Sequence, residues 1–147
     1  MRAATEGIPE IEGLFTWPSK YPRLIGSRCD GCSTYFFPAH AVLHRPGCSD
    51  SAIREHLFSN VGRLMSYTIQ HYPPPPPYPA PDRSAWTPEP IGTVALLEGL
   101  QVPGSLLGIQ PDQLRLGIEV RIVARVLYVG DDGVNRLSWA FQPTASS

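Results

Sequence analysis

Residues 118–141 set the tightest limit on what this chain can fold into. In "IEVRIVARVLYV" (118–129), Ile118, Val120, Ile122, Ala124, Val126 and Tyr128 occupy one side of a two-residue alternation, with Glu119, Arg121 and Arg125 on the other. That is the period of a strand with one face in a core. "GDDG" (130–133) reads as a hairpin turn, and Asp131/Asp132 serve only to end the strand. "NRLSWAF" (135–141) returns with Leu137, Trp139 and Phe141 on one face.

Three further strands are expected upstream. "GRLMSYTIQHY" (62–72) alternates, with Met65, Tyr67 and Ile69 opposite Leu64, Ser66, Thr68 and Gln70. "IGTVALLEG" (91–99) closes on a Glu98-Gly99 turn, and "LQVPGSLLGI" (100–109) carries Pro103-Gly104 as a kink or bulge. "PDQLRLG" (111–117) reads as a turn or a single helical turn, with Asp112 placed to cap it. Five short strands in this span favour a small closed barrel of the OB type over a sandwich, which usually needs about seven. The expected fold class is therefore mostly β, with a five-stranded OB-fold as its larger part. Tyr67 and Trp139 are expected as core or rim aromatics.

The N-terminal part differs. Ile8, Ile11, Leu14 and Phe15 have approximate helical spacing, so a short helical arm is expected over 8–17, stopped by Pro18 and Pro22. "YPRLIGSRC" then leads as a strand into "RCDGCSTYFFPAHAVLHRPGCSD" (28–50), where C-x-x-C (Cys29, Cys32) is followed by Cys48 after Pro-Gly. The aromatic "TYFFPA" suits the hairpin of a zinc ribbon. These features divide the chain into an arm and ribbon-like knuckle over 1–55 and a barrel over 56–147.

A tetrahedral zinc site takes four N or S ligands, and C-x-x-C delivers two of them from one tight turn. The leading ligand set is Cys29, Cys32, Cys48 and His44, the last forming H-x-x-x-C with Cys48. His40 is the alternative fourth ligand, and a metal-free knuckle held by its aromatics stays open. Four protein ligands leave no position for substrate, so such a zinc is structural. A thioredoxin-like role is disfavoured, because this C-x-x-C is not set in a βαβ unit.

Between the first two barrel strands lies "PPPPPYPAPDRSAWTPEP" (73–90). Five consecutive prolines impose a stiff polyproline II segment. Pro75, Tyr78 and Trp86 are the candidate partner contacts there, against the plainer reading of a passive surface loop. The net charge of −1 argues against a nucleic-acid binder, although a single-stranded nucleic-acid-binding OB protein remains the alternative class. No apolar run approaches the roughly 20 residues that cross a bilayer, and "MRAATEGIPEIEG" has no signal-peptide h-region. With three cysteines spaced as metal ligands or redox thiols, a cytoplasmic setting is expected. No nucleophile elbow, phosphate loop, dinucleotide fingerprint or H-E-x-x-H occurs. His56 and His71 read as surface or barrel-edge residues, not as bases.

The order of parts resembles the DUF35 family, in which an N-terminal rubredoxin-like zinc ribbon precedes an OB-fold. The matching stretches are "LIGSRCDGC", "FFP", "PGC", "GRLMSYTI", "PIGTVALLEGLQVPGSLLG", "LRLGIEV" and "WAFQP", from about Leu24 to Pro143. Two features depart from the pattern: Arg45 stands where the family has a third zinc cysteine, and the loop after the first barrel strand carries the proline run. The resemblance implies a non-catalytic partner of a thiolase-fold protein acting on acyl-CoA thioesters. It is most like the stand-alone partner of a lipid-transfer-protein-like aldolase that cleaves β-hydroxyacyl-CoA in steroid side-chain breakdown. The thiolase-like partner would hold the catalytic residues. A CoA thioester needs a few basic contacts and a groove, for which Arg45, Arg54, Arg63 and Arg83 are the candidates.

Overall fold

The computed structural model describes residues 6–40, 45–48, 52–73 and 86–144. Among these, nine strands form two sheets. They are β1 (Ile8–Pro9), β2 (Ile25–Cys29), β3 (Tyr35–Phe36), β4 (Ile53–Leu57), β5 (Val61–Gln70), β6 (Glu89–Leu96), β7 (Gln101–Ser105), β8 (Glu119–Val129) and β9 (Asn135–Pro143). The larger sheet has the order β1-β9-β8-β5-β6-β7, and the smaller β3-β2-β4. Among the described residues no helix is long and apolar enough to cross a membrane.

The five strands expected from alternation are β5 to β9, and a sixth, β1, joins them. The larger sheet curls until the end of β7 meets β9. Leu106, just past β7, forms a parallel bridge with Phe141 of β9, and the Leu107 N–H donates to the Phe141 carbonyl at 2.8 Å. The Trp139 indole adds a 2.9 Å bond to the Pro103 carbonyl. This closure is consistent with an OB-fold.

Alternation predicts the inward face for only part of each strand. Val120 and Ile122 of β8 are buried, but Val126, the last residue before the β8–β9 register shifts, is already exposed. A second shift, between Leu64 and Ser66, breaks β5. Leu64 before it is buried, whereas beyond it Ile69, on the opposite side of the alternation, packs against the core. A bulge adds one residue to one strand, so every side chain beyond it changes face. The third expected strand is shorter than 100–109: β7 ends at Ser105, and Gly108 follows with φ 70°.

The expected helical arm over 8–17 is not formed. Ile8–Pro9 instead pairs in parallel with Arg136–Leu137, the Glu10 N–H donates to the Leu137 carbonyl at 2.8 Å, and Phe15 bridges Leu24. Pro9 lacks a donor and Gly13 sits at φ 85°, so a ten-residue segment had little chance as an isolated helix. It gains more by adding to the open edge of β9 and burying Phe15 in the core.

One apolar cluster runs through both sheets. Leu24 and Phe58, at the base of the small sheet, pack with Leu64, Val94, Val102, Val120, Ile122, Leu137 and Phe141. Strand β4 spans positions 53–57, and the chain passes directly from it through Phe58 into β5. Gly26 marks how tight this base is. A Cβ there would lie 2.1 Å from the Phe36 carbonyl oxygen and 2.4 Å from Phe58 Cε2. Gly26→Ala is expected to lower stability by about 2–3 kcal/mol through overpacking, read as a lower denaturant midpoint with unchanged slope.

Candidate metal centre

The three cysteines converge at one end of β2. Cys29, fully buried, is its last residue. The chain then turns: the Ser33 N–H donates to the Cys29 carbonyl at 2.7 Å, and the Cys29 N–H to the Thr34 carbonyl at 2.9 Å. Ser33 takes φ 60° to complete the turn. This brings Cys32 back beside Cys29. Cys48 arrives on a separate turn, its N–H bonded to the Arg45 carbonyl at 3.0 Å.

The three sulfurs lie within 4.8 Å of one another. Cys29 Sγ and Cys48 Sγ are 3.8 Å apart, far beyond a disulfide bond. Two sulfurs each about 2.3 Å from a tetrahedral zinc lie about 3.8 Å apart, so the spacing fits a metal held between them. Thr34 Oγ1 is 3.1 Å from Cys32 Sγ; toward a thiolate its hydroxyl would donate, as an outer-shell partner of a ligand does. Among the described residues no histidine belongs to the cluster. His40 is exposed and outside it, and His44 lies outside the described residues.

A charged clamp locks the C-x-x-C turn. Asp30 accepts from Arg28 Nη1 at 2.5 Å and from Arg54 Nε at 2.9 Å, and pairs with Arg54 Nη2. The Arg54 hydrogen bond is the main cause holding the Asp30 carboxyl below its usual range; partial desolvation opposes it, and the charges of Arg54 and Arg28 add to it. The Asp30 N–H also donates to the Ala52 carbonyl. The knuckle is thereby tied to β4, and the guanidinium of Arg54 is engaged.

A second polar contact joins the two sheets. His56 of β4 has its ring between Tyr35 and Phe58, with centroids 4.9 Å from each. Its Nε2 lies 2.8 Å from Glu98 Oε2, in the turn between β6 and β7. The Ser59 N–H donates to the same carboxylate. Burial pushes the Glu98 carboxyl up, but the hydrogen bonds from His56, from its own backbone and from Ser59 outweigh it, leaving it below its ordinary 4.5. A group whose folded pKa is depressed stabilises the fold above its unfolded pKa, and that stability is lost as pH falls through the folded value. Glu98→Gln is therefore expected to cost about 1.5–3 kcal/mol near neutral pH. The difference from wild type should shrink as pH drops below 4.5, which unfolding curves across pH would show.

The other sequence candidates scatter. Arg45 is exposed. Arg63 donates to the Gly117 carbonyl at 3.2 Å and sits 3.8 Å from Glu119. It lines an open groove of about 920 Å³ together with Arg115, Gln113, Gln142 and Glu119. Trp86 is half-buried, its indole donating to the Gln70 carbonyl at 3.2 Å. Pro75, Tyr78 and Arg83 lie outside the described residues. The structure thus brings together the three cysteines, while of the described arginines Arg54 is held by Asp30 and Arg63 lines the groove. The sequence reading missed the Asp30 clamp and the His56–Glu98 contact. Asp30 inside the C-x-x-C was visible, but its partner on β4 is 24 residues away.

A three-stranded knuckle with clustered cysteines beside a curled six-stranded sheet defines a mostly β protein consistent with an OB-fold. Comparison with known proteins narrows the class. Residues 55–125 match the family described as the ChsH2 C-terminal OB-fold domain. A DUF35 domain-containing scaffold protein of Methanothermobacter thermautotrophicus is 32% identical over 137 residues, covering 90% of this chain and 96% of the relative. Its counterpart in Methanocaldococcus jannaschii is 30% identical over 122 residues, covering 82% and 81%. Among solved structures, a chain of an Ltp2-ChsH2(DUF35) aldolase superposes with TM-score 0.62 at 25% identity, covering 84% of this chain and 86% of the other. This chain belongs to the DUF35 family.

Proposed function

We propose that the chain is an accessory subunit of a thiolase-fold enzyme acting on acyl-CoA thioesters. The reaction is the retro-aldol cleavage of a β-hydroxyacyl-CoA from a steroid side chain. The observation that carries this reading is the likeness, over most of both chains, to a DUF35-containing aldolase structure. The scaffold proteins among the relatives support an assembling role. The catalytic residues sit in the thiolase-fold partner, and this chain completes and stabilises the assembly.

The ribbon (residues 1–55 in the proposed division) holds a structural zinc through Cys29, Cys32 and Cys48, with His44 as the fourth ligand. When bound, the metal supplies a cross-link between the C-x-x-C turn and the Cys48 turn. The barrel (56–147) carries the proline-rich loop, in which Pro75, Tyr78 and Trp86 contact the partner. Of the four arginines proposed for CoA, Arg63 is the best supported because it lines an open groove; Arg45, Arg54 and Arg83 complete the set.

The test is reconstitution. Purification of the tagged chain from its host should bring down a thiolase-fold subunit, and the pair should cleave a steroid β-hydroxyacyl-CoA that neither chain cleaves alone. Turnover by this chain alone, or no association with any thiolase-fold protein, would sink the reading.

A further inference from the structure

The outward face of β8 carries its charges at Glu119, Arg121 and Arg125, separated by two and four residues. The outer two are spoken for. Glu119 accepts from Thr144 Oγ1 at 2.8 Å and faces Arg63, and Arg125 pairs with Glu89. Arg121 between them has no carboxylate partner among the described residues, and its Nε is buried without any acceptor. Its guanidinium carbon lies 5.9 Å from the centre of the Tyr21 ring, and Lys20 Nζ lies 5.5 Å from the same ring. Lys20 likewise has no ion-pair partner among the described residues. Two cations therefore flank one half-exposed aromatic ring on a chain whose net charge is −1.

The loop that carries Tyr21 is held firmly. Asn60 Nδ2 donates to the Pro22 carbonyl at 2.7 Å and to the Ile122 carbonyl at 3.1 Å, tying the loop to β8 beside Arg121. Arg23 Nε donates to the Phe58 carbonyl at 2.8 Å and Nη2 to the Leu57 carbonyl at 2.6 Å, tying it to the end of β4. A pinned aromatic with an arginine against its face is the kind of anchor that dominates protein interfaces, and its fixed position lowers the ordering cost of binding. A guanidinium partly withdrawn from water and left without an anion is costly, and an incoming carboxylate offsets that cost.

We propose that Lys20, Tyr21 and Arg121 form a docking surface for an acidic segment of a partner protein, a carboxylate seating on Arg121 beside the Tyr21 ring. This rests on the accessory-subunit reading above. A phosphate ligand is less well matched: no glycine-rich cradle of backbone N–H groups faces these side chains among the described residues, and the site is open.

Two arms test it. In the first, the ¹⁵N-labelled chain is titrated with a capped hexaglutamate peptide, a hexaglutamine peptide and inorganic phosphate, following the Arg121 Nε–H signal identified by its loss in Arg121→Gln. The expected result is a salt-sensitive shift with hexaglutamate alone, weakened about tenfold in Lys20→Gln. No shift overturns the proposal, and an equal response to phosphate overturns the assignment to an acidic protein segment. In the second, the complex with its thiolase-fold subunit is formed with the Lys20→Gln/Arg121→Gln double variant and with Arg121→Lys. The double variant should bind about tenfold more weakly, with reduced salt dependence, and Arg121→Lys should retain part of the affinity. An unchanged affinity in the double variant, with its unfolding midpoint also unchanged, overturns the proposal and leaves the accessory reading standing. If wild type forms no complex, the accessory reading fails, and the peptide titration still decides the surface.

Discussion

Replacing Cys29 by serine is expected to empty the metal centre and unfold the ribbon while leaving much of the barrel's strand content. The thiolate is the stronger ligand for zinc, and Cys29 is the one fully buried member of the cluster. Its loss takes away a metal bond and leaves a hydroxyl in a site shaped for sulfur. Metal analysis of chelator-free protein should show about one zinc per wild-type chain and little in the variant. Structural zinc sites in small modules contribute about 10–16 kcal/mol of apparent binding free energy, so even a fraction of that lost exceeds what the ribbon can supply by packing. The small sheet has one five-residue strand between a two-residue and a five-residue neighbour. Three such strands are marginal without a staple. Serine at Cys32 or Cys48 should act in the same direction, and alanine at His44 less severely, because three sulfurs can still hold the metal with water in the fourth position. The decisive control is chelation of the wild type. A ribbon that keeps its unfolding midpoint after zinc is stripped would be a metal-free knuckle held by Tyr35, Phe36 and Phe58, and the ligand assignment would fall.

What the sequence made legible follows from how local each signal is. The β8–β9 hairpin was readable because both strands and the turn lie within 25 positions and the period is two. Next to the turn its register, Tyr128 opposite Arg136 and Val129 opposite Asn135, follows from the Gly130–Gly133 turn. The bulges at Leu64/Ser66 and Val126/Tyr128 were not readable, because a bulge is set by how the curled sheet closes and not by the residues on it. The arm over 8–17 misled for a related reason. Its apolar spacing fits a helix, but the edge of β9 that captures Ile8–Pro9 is folded from residues more than 120 positions away. The clustering of the three cysteines was legible because C-x-x-C and Cys48 narrow the choices. The residues that hold them in place were not, since Asp30 and Arg54 meet only when β2 pairs with β4, and His56 and Glu98 only after the two sheets pack.

That packing rests on one ring, and removing it should have the second large effect. Phe58 is fully buried. Its ring lies 5.7 Å from that of Tyr35 and 4.9 Å from that of His56, against the face of Gly26. Its own N–H donates to the Leu24 carbonyl at 2.9 Å, and its carbonyl accepts from Arg23. It is thus the residue at which the ribbon, the Tyr21 loop and the barrel core all touch. Phe58→Ala is expected to cost about 3–5 kcal/mol, a large part of the roughly 5–15 kcal/mol typical of a folded chain. Phe58→Leu keeps most of the volume and should cost about 1.5 kcal/mol or less. Chemical denaturation of both variants measures the difference. The loss should not be confined to the ribbon. Without the ring, His56 loses one of its two aromatic walls and the backbone carbonyl of residue 58 that accepts from Arg23 is held less firmly, so the Glu98 contact and the Tyr21 loop both loosen. Hydrogen exchange should then rise together at Arg23, His56 and Ser59 in Phe58→Ala, whereas Cys29→Ser should raise exchange first at the cysteine turns. An Ala variant in which the barrel and ribbon stay as tightly joined as in wild type would show that the two sheets are held by the polar contacts alone. The polar contacts across the joint among the described residues, His56 and Ser59 with Glu98 and the Arg23 and Asn60 bonds, are each worth about 1–3 kcal/mol, and they are not expected to hold the joint without the buried ring between them.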